Sequence, residues 1–366
     1  SGAAPSCVGN QTPACNGNQT SATGALPAPT SIVNPSNPQN TSVIAWLPNN
    51  KIASVQEWNL QISQQIGNAT TFNIAYVGNK SNHLMTYFNY NNAGNTIGGK
   101  ATFPNLYNVE VAAATGSGNY NALQTQVNHR MTNGLQFTLA YTWSHALDNS
   151  DGAFSTTGSN GAIIVDPTKG GLLQYNYGNA NDDQRQAFTF ASMYELPFGH
   201  GKRWGSNWNT VTNQALGGWQ ANLIASIGTG TPFNITPNGL LGNYTGGATV
   251  GYQGKAPNGN VIWVSVPQGV NPTSVFTTAT TTNPGNFHRN SFYGPGYNPI
   301  DLSIFKDFGV TERLKMQFRA EAYNLFNTPQ FTGVNTNVND PVNFGTINST
   351  RAYSEREVQF ALRFTF

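Results

Sequence analysis

Charge is scarce in this chain. Asp, Glu, Lys and Arg make up 9% of its 366 residues, against about 25% in ordinary soluble domains. Asn, Gln, Ser, Thr and Gly stand in their place. The 17 basic and 15 acidic residues leave a net +2, too little for an electrostatic nucleic-acid surface, so no nucleic-acid partner is expected. Long hydrophobic runs are also missing. No stretch approaches the roughly 18 apolar residues of a spanning helix, which excludes a helical membrane protein. Cysteine is limited to Cys7 and Cys15, in a Pro/Gly/Asn stretch with no His or acidic residue beside them. A small disulfide-closed loop outside the cytoplasm is a better reading than a metal site. Ser1–Pro5 has neither the basic nor the hydrophobic region of a leader, so any export signal is expected to lie outside this sequence.

What the chain does have is alternation. Val358, Phe360, Leu362, Phe364 and Phe366 share one phase, while Glu357, Gln359, Ala361, Arg363 and Thr365 share the other. A period of two means a strand with one apolar and one polar face. The same pattern runs over about 54–66 (Trp58, Leu60, Ile62), 70–78 (Phe72, Ile74, Tyr76), 120–130 (Leu123, Thr125, Val127) and 135–143 (Leu135, Phe137, Leu139, Tyr141, Trp143). It continues at 185–196, 218–228, 300–308 and 314–325, the last with Leu314, Met316, Phe318, Ala320 and Ala322 on one side. Asn133-Gly134 is the strongest hairpin signal.

The connections alternate in length. Short ones fall at 67–69, 131–134 and 309–313, with an intermediate one at 197–217. Long polar ones fall at 79–119, 146–184, 229–299 and 327–353, and short strands such as 259–265 could hide within them. Long structureless loops are uncommon in compact soluble domains. Short turns on one side and long loops on the other are the mark of an outer-membrane barrel. A soluble sandwich is the weaker alternative. The expected fold is therefore all-β: a transmembrane antiparallel β-barrel, with residues 1–53 as an extracellular loop-like segment and 54–366 as barrel. Phe137, Leu139, Tyr141, Phe318, Phe360, Leu362, Phe364 and Phe366 are expected to face outer-membrane lipid. Arg319, Glu321, Glu357 and Arg363 are expected to face the lumen, holding register as ion pairs or docking a plug or substrate. Trp58, Trp143 and Trp219 fit interfacial belts. Nine strands are an odd number, whereas bacterial single-chain barrels have even ones. Either a strand is hidden in a loop or, as favoured here, the chain is part of a larger barrel, since an open edge in lipid leaves backbone groups unpaired.

Several segments carry a family resemblance. They include Asn119-Tyr120-Asn121-Ala122-Leu123-Gln124, the run Gly134–His145, Tyr194-Glu195-Leu196-Pro197-Phe198-Gly199 and Gly218-Trp219-Gln220. Further along come Phe292-Tyr293-Gly294-Pro295-Gly296, Asp301–Lys306, Phe318–Asn327, Phe344-Gly345-Thr346-Ile347 and Gln359–Arg363. In order and spacing these resemble the C-terminal barrel portion of Oar-like TonB-dependent receptors, which carry a carboxypeptidase-regulatory-like domain, a plug and a barrel. The resemblance implies a 22-stranded barrel, with this chain supplying the last nine or ten strands, part of the pore wall and the external ligand-capturing loops. It implies as partners the remaining N-terminal barrel and plug segments, from the same receptor or a companion chain, and the TonB system acting through that plug. No plug, TonB box or regulatory-like domain is read here. The chain is expected to be a C-terminal part, a processed product or one portion of a split barrel.

Little points to chemistry. His83, His129, His145, His200 and His288 have no ligand spacing. Asp148 with Asp151, and Asp182 with Asp183, lie in Gly/Asn loops that could hold calcium but do not follow an EF-hand pattern. Ser144-His145 belongs to no recognisable nucleophile arrangement. No cofactor and no enzymatic activity are expected. A surface adhesin or assembly subunit built from β-strands is the alternative function, its neutral loops suited to glycan or protein contact and an open edge able to recruit strands.

Overall fold

The computed structural model describes residues 42–89, 96–97, 100–101, 108–150, 176–237, 242–278, 285–309 and 314–366. Its principal elements are β1 (Ser42–Trp46), β2 (Ser54–Ile66), β3 (Thr70–Asn89), β4 (Asn108–Thr132), β5 (Leu135–Asp148), β6 (Gln186–Glu195), α1 (Thr210–Leu216), β7 (Trp219–Gly228), β8 (Ile300–Gly309), β9 (Lys315–Tyr323) and β10 (Glu357–Thr365).

Strands β2 to β10 form one antiparallel meander in which each strand pairs with the next in sequence. These are the nine strands that the alternation predicts. Among the described residues the order runs from β2 at one edge to β10 at the other and does not close on itself. Turn chemistry fixes two of the reversals. Asn133 (φ 52°) and Gly134 (φ 80°) both take positive φ, as a two-residue turn matched to strand twist requires. Gly67 (φ 60°) does the same between β2 and β3.

Three expectations need correction. The 79–119 segment is not mainly loop, because β3 and β4 continue as a ladder to Asn89 opposite Glu110. Its sequence is polar and its register shifts between Ser81 and Thr86, where His83 takes φ 57°. Alternation is imposed only where one face is apolar; a polar ribbon is held by its backbone ladder and leaves no such trace. Residues 1–53 are not wholly loop. β1 pairs in parallel with β4, Ile44 opposite Glu110 and Trp46 opposite Ala112, on the part of β4 that lies beyond the reach of β5. Finally, the described residues of 229–299 and 327–353 are folded. Two-residue ladders join Pro232–Phe233 to Phe292–Tyr293, Asn243–Tyr244 to Phe276–Thr277, and Val261–Ile262 to Thr346–Ile347. Cys7, Cys15 and Asp151 lie outside the described residues.

Candidate functional site

The register carries one face across the whole sheet. Paired residues in antiparallel strands share a face, and neighbours along a strand alternate. Ile62 stands opposite Ile74, Ile74 opposite Thr125, and Thr125 opposite Tyr141. Leu139 stands opposite Phe190, Phe190 opposite Ala225 and Ala225 opposite Ile300. From β8 the series runs through Ile304, Ala320 and Phe360. Phe137, Leu139, Tyr141, Phe318, Phe360, Leu362 and Phe364 therefore share a single face with the apolar phase of every other strand. Phe366 lies one residue beyond β10 and is 97% exposed. Trp58, Trp143 and Trp219 belong to the same face. Trp143 is level with Gln186, and the strand that starts at Gln186 ends at Glu195, next to the level of Trp219. Nine residues at about 3.3 Å each separate the two levels by roughly 30 Å.

Arg319, Glu321, Glu357 and Arg363 share the opposite face, but they do not pair with one another. Arg319 stands opposite Phe305 and Ala361, Glu321 opposite Ser303 and Gln359, Glu357 opposite Tyr323, and Arg363 opposite Gln317. The register thus gives each charge a neutral neighbour. Arg319 Nε donates to Gln317 Oε1 (2.7 Å) and its guanidinium lies 5.1 Å from the Phe305 ring centre. Gln359 Nε2 donates to Glu321 Oε2 (2.5 Å). Arg319 and Glu321 thus take amide partners in place of the expected ion pairs. Among the described residues the ion pairs fall elsewhere, at Arg185–Asp183, Lys202–Glu195 and Arg289–Asp148. A polar cleft of about 350 Å³ opens at the short-connection end, lined by Glu195, Lys202, Asp307, Gln317 and Arg319 among others.

At the other end the long connections build a cap. Ile235, Val264, Val275, Phe276, Phe287, Val338 and Phe344 form its buried core. Phe276 packs edge-on against Phe287 and Phe292 and lies 5.8 Å from Phe344. Gly345 (φ 72°) passes so close to the Val264 carbonyl that a Cβ would collide with it. The resembling segments at 292–296 and 344–347 are thus parts of this packing. The 318–327 segment ends in another structural lock. Asn324 takes φ 44°, and its Nδ2 donates to the carbonyls of Thr328 and Ser354. Sequence reading missed the cap because its apolar residues are widely spaced. Their one signal was the density of Phe and Trp in otherwise polar loops.

A polar clamp joins cap to sheet. Arg289 is 2% exposed and its guanidinium meets the Asp148 carboxylate and the Asn176 carbonyl. Asn290 Nδ2 donates to the Asn179 carbonyl and Asn181 Oδ1, and its backbone N–H donates to Asn234 Oδ1. Asp183 accepts from the Ala146 N–H (2.6 Å), the Tyr293 hydroxyl (2.6 Å) and Arg185 Nε (3.1 Å). Burial, then the hydrogen bond to Asp183, raises the Tyr293 phenol above its usual value. Burial, then the Asp148 charge, does the same for Tyr177. These partners engage the Asp148 and Asp183 carboxylates within the clamp. No cluster of three His, Cys, Asp or Glu side chains suited to a metal occurs among the described residues. Of the histidines, His145 bonds Asn179 Oδ1 and His200 bonds the Trp208 carbonyl.

A family model described as an outer membrane beta barrel domain matches residues 3–359. The chain belongs to that family. It is an outer-membrane β-barrel protein, with loops on the extracellular side, and its family is one of barrels and not of enzymes. No curated protein sequence matches it. Among solved structures it is similar to the outer membrane transporter YddB from Escherichia coli, at 8% identity and a TM-score of 0.45, over 89% of this chain and 34% of that one. It is similar to the ferric-catecholate import receptor Fiu from E. coli K12, at 12% identity and a TM-score of 0.41, over 86% and 28%. The FrpB iron transporter from Neisseria meningitidis matches at 11% identity and a TM-score of 0.39, over 89% and 33%. The chain spans about a third or less of the length of these structures.

Proposed function

We propose that this chain is the C-terminal wall of an Oar-like TonB-dependent receptor, nine strands of a barrel of 22. The observation that carries this reading is the single apolar face that the register extends from β2 to β10. That face lies against lipid, with Phe137, Leu139, Tyr141, Phe318, Phe360, Leu362 and Phe364 at its surface and Phe366 at its rim. Arg319, Glu321, Glu357 and Arg363 line the lumen. Trp143 and Trp219 bracket a width close to the roughly 25 Å apolar band of such barrels. The cap stands on the extracellular side and captures the ligand. The remaining strands and the plug come from the same polypeptide or a companion chain, and the TonB system acts through that plug.

Backbone chemistry gives the test. An unpaired strand edge in lipid leaves donors and acceptors unsatisfied at a cost of several kcal/mol each. In the complete receptor β2 and β10 are therefore both paired with further strands. Hydrogen exchange on the complete polypeptide in membranes is expected to show outward-pointing amides of β2 and β10 as slow as those of β5. Exchange at the rate of free amides on both edges would contradict the reading.

A further inference from the structure

Among the described residues, the connection between β6 and β7, residues 197–218, is the part of the short-connection side that has built its own small fold. It contains no acidic residue, although its Lys202 pairs with Glu195 just before it (2.6 Å); His200 and Arg203 are its other basic or titratable residues, and Phe198, Trp204 and Trp208 are aromatic. Phe198 stacks on Trp208 (6.5 Å, 9° between planes) and packs against Trp204 at 5.4 Å. The Arg203 guanidinium lies 5.4 Å from the Trp204 ring centre. Asn209 caps α1 by accepting from the Thr212 N–H, and Asn213 Oδ1 accepts from the His200 N–H. Gly199 (φ 115°) lets the turn touch α1, because a Cβ there would press on Asn213 and Gly217.

Two side chains seat this unit over the apolar face of the sheet. Trp219 belongs to that face and its indole Nε1 donates to the Ala215 carbonyl (3.0 Å). Lys306 stands opposite Trp219 on the same face, the one lysine in a row otherwise of Ile300, Leu302, Ile304 and Phe308. Its ammonium donates to the Gly217 carbonyl at the C-terminal end of α1, where carbonyls lack helical partners and a cation is favoured. It also lies 5.3 Å from the Trp219 ring centre. The charge on this row is thereby withdrawn from the apolar surface into the foot of α1. Apolar side chains of the unit stay exposed: Val211 is 79% exposed, Leu216 55% and Trp204 50%.

We infer that residues 197–218 form an interfacial anchor that docks on the phospholipid leaflet at the short-connection rim and prefers anionic headgroups. Val211, Leu216 and Trp204 enter the boundary between headgroup and acyl chain. Arg203, held on the Trp204 ring, meets lipid phosphate. Continuity with the apolar sheet face selects a leaflet over a protein as the occupant, and Arg203, which lies on the Trp204 ring and has no acidic partner among the described residues, selects its charge. Exposed apolar side chains with a cation beside them suit the boundary between headgroup and acyl chain. This inference rests on the apolar face lying against lipid, so its test carries a separate control for that assignment.

The test uses the complete polypeptide, with Cys7 and Cys15 replaced by serine, in vesicles of phosphatidylcholine with or without phosphatidylglycerol. A bimane probe is placed in turn at Val211→Cys, Leu216→Cys, Leu139→Cys and, in the cap, Gln268→Cys. Lipids brominated at shallow positions are expected to quench the 211 and 216 probes, more strongly when phosphatidylglycerol is present, and Arg203→Glu should remove that preference. Deeply brominated lipids should quench the 139 probe, and aqueous iodide the 268 probe. If iodide quenches 211 and 216 as fully as 268 while 139 remains lipid-quenched, the anchor is overturned and the sheet assignment stands. If the 139 probe is also aqueous, both fall. Equal shallow quenching in the two vesicle types would overturn the headgroup preference.

Discussion

Arg289 and Asp148, 141 positions apart in sequence, meet at the junction between cap and sheet, the arginine side chain 2% exposed and the aspartate 22%. Asp148 ends β5, and Arg289 belongs to the long connection that precedes β8. Breaking a buried ion pair by removing one partner costs about 3–5 kcal/mol, and the 22% exposure of Asp148 places this pair at the lower end. Arg289→Met is therefore expected to release the 285–299 segment from the sheet rim while β2 to β10 persist. Limited proteolysis of the membrane-inserted protein checks it: new cleavage should be confined to the long connections.

The cap should fail independently of the sheet. Phe276 is 1% exposed at the centre of the cap core, and large-to-small changes at such positions cost about 3–5 kcal/mol. Phe276→Ala should unfold the cap, and Gly345→Ala should do the same because its Cβ has no room beside Val264. Cap-specific hydrogen exchange should accelerate in both variants, with unchanged protection in β5 to β7.

Alkaline pH should loosen the same junction. The folded state holds the Tyr293 proton more tightly than the unfolded chain does. The native state then binds more protons than the unfolded one once pH passes the ordinary phenol value of about 10. Stability contributed by the Tyr293–Asp183 bond is thus full below that pH and declines as pH rises through it. Cap protection measured against pH should fall above about 10 in the parent protein. In Tyr293→Phe the fall should be reduced, from a lower starting protection.

Cys7 and Cys15 are expected to be joined in an externally exposed loop. Closing so short a loop contributes at most about 3 kcal/mol. Intact mass without reductant should be two protons below that of the reduced form. Substituting both with serine should leave the sheet intact.

The sheet was legible in the sequence because a period of two marks every strand that has one apolar face; Phe137 to Trp143 and Val358 to Phe366 are examples. Asn133-Gly134 announced its turn by the positive φ it supplies. The outer halves of β3 and β4 were not legible, since polar ribbons need no alternation. Nor was the partner of each charge: Arg319 and Glu321 were read as ion-paired, but register depends on pairing that no single strand encodes. The cap was hidden because Phe276, Phe287 and Phe344 meet only through long-range folding. Likewise Arg289 gave no local sign that it would reach Asp148.

The two-face assignment is tested most directly by single-cysteine labelling along β5 in intact outer membranes, using a small membrane-impermeant thiol reagent that enters the lumen. Residues 136, 138 and 140 are expected to react and 137, 139 and 141 to be protected. Leu139→Arg, placing a charge on the protected face, should cost about 2–4 kcal/mol if that residue lies near mid-membrane. Preferential labelling at 137, 139 and 141 would reverse the faces, and equal labelling of both sets would contradict a lipid-facing sheet.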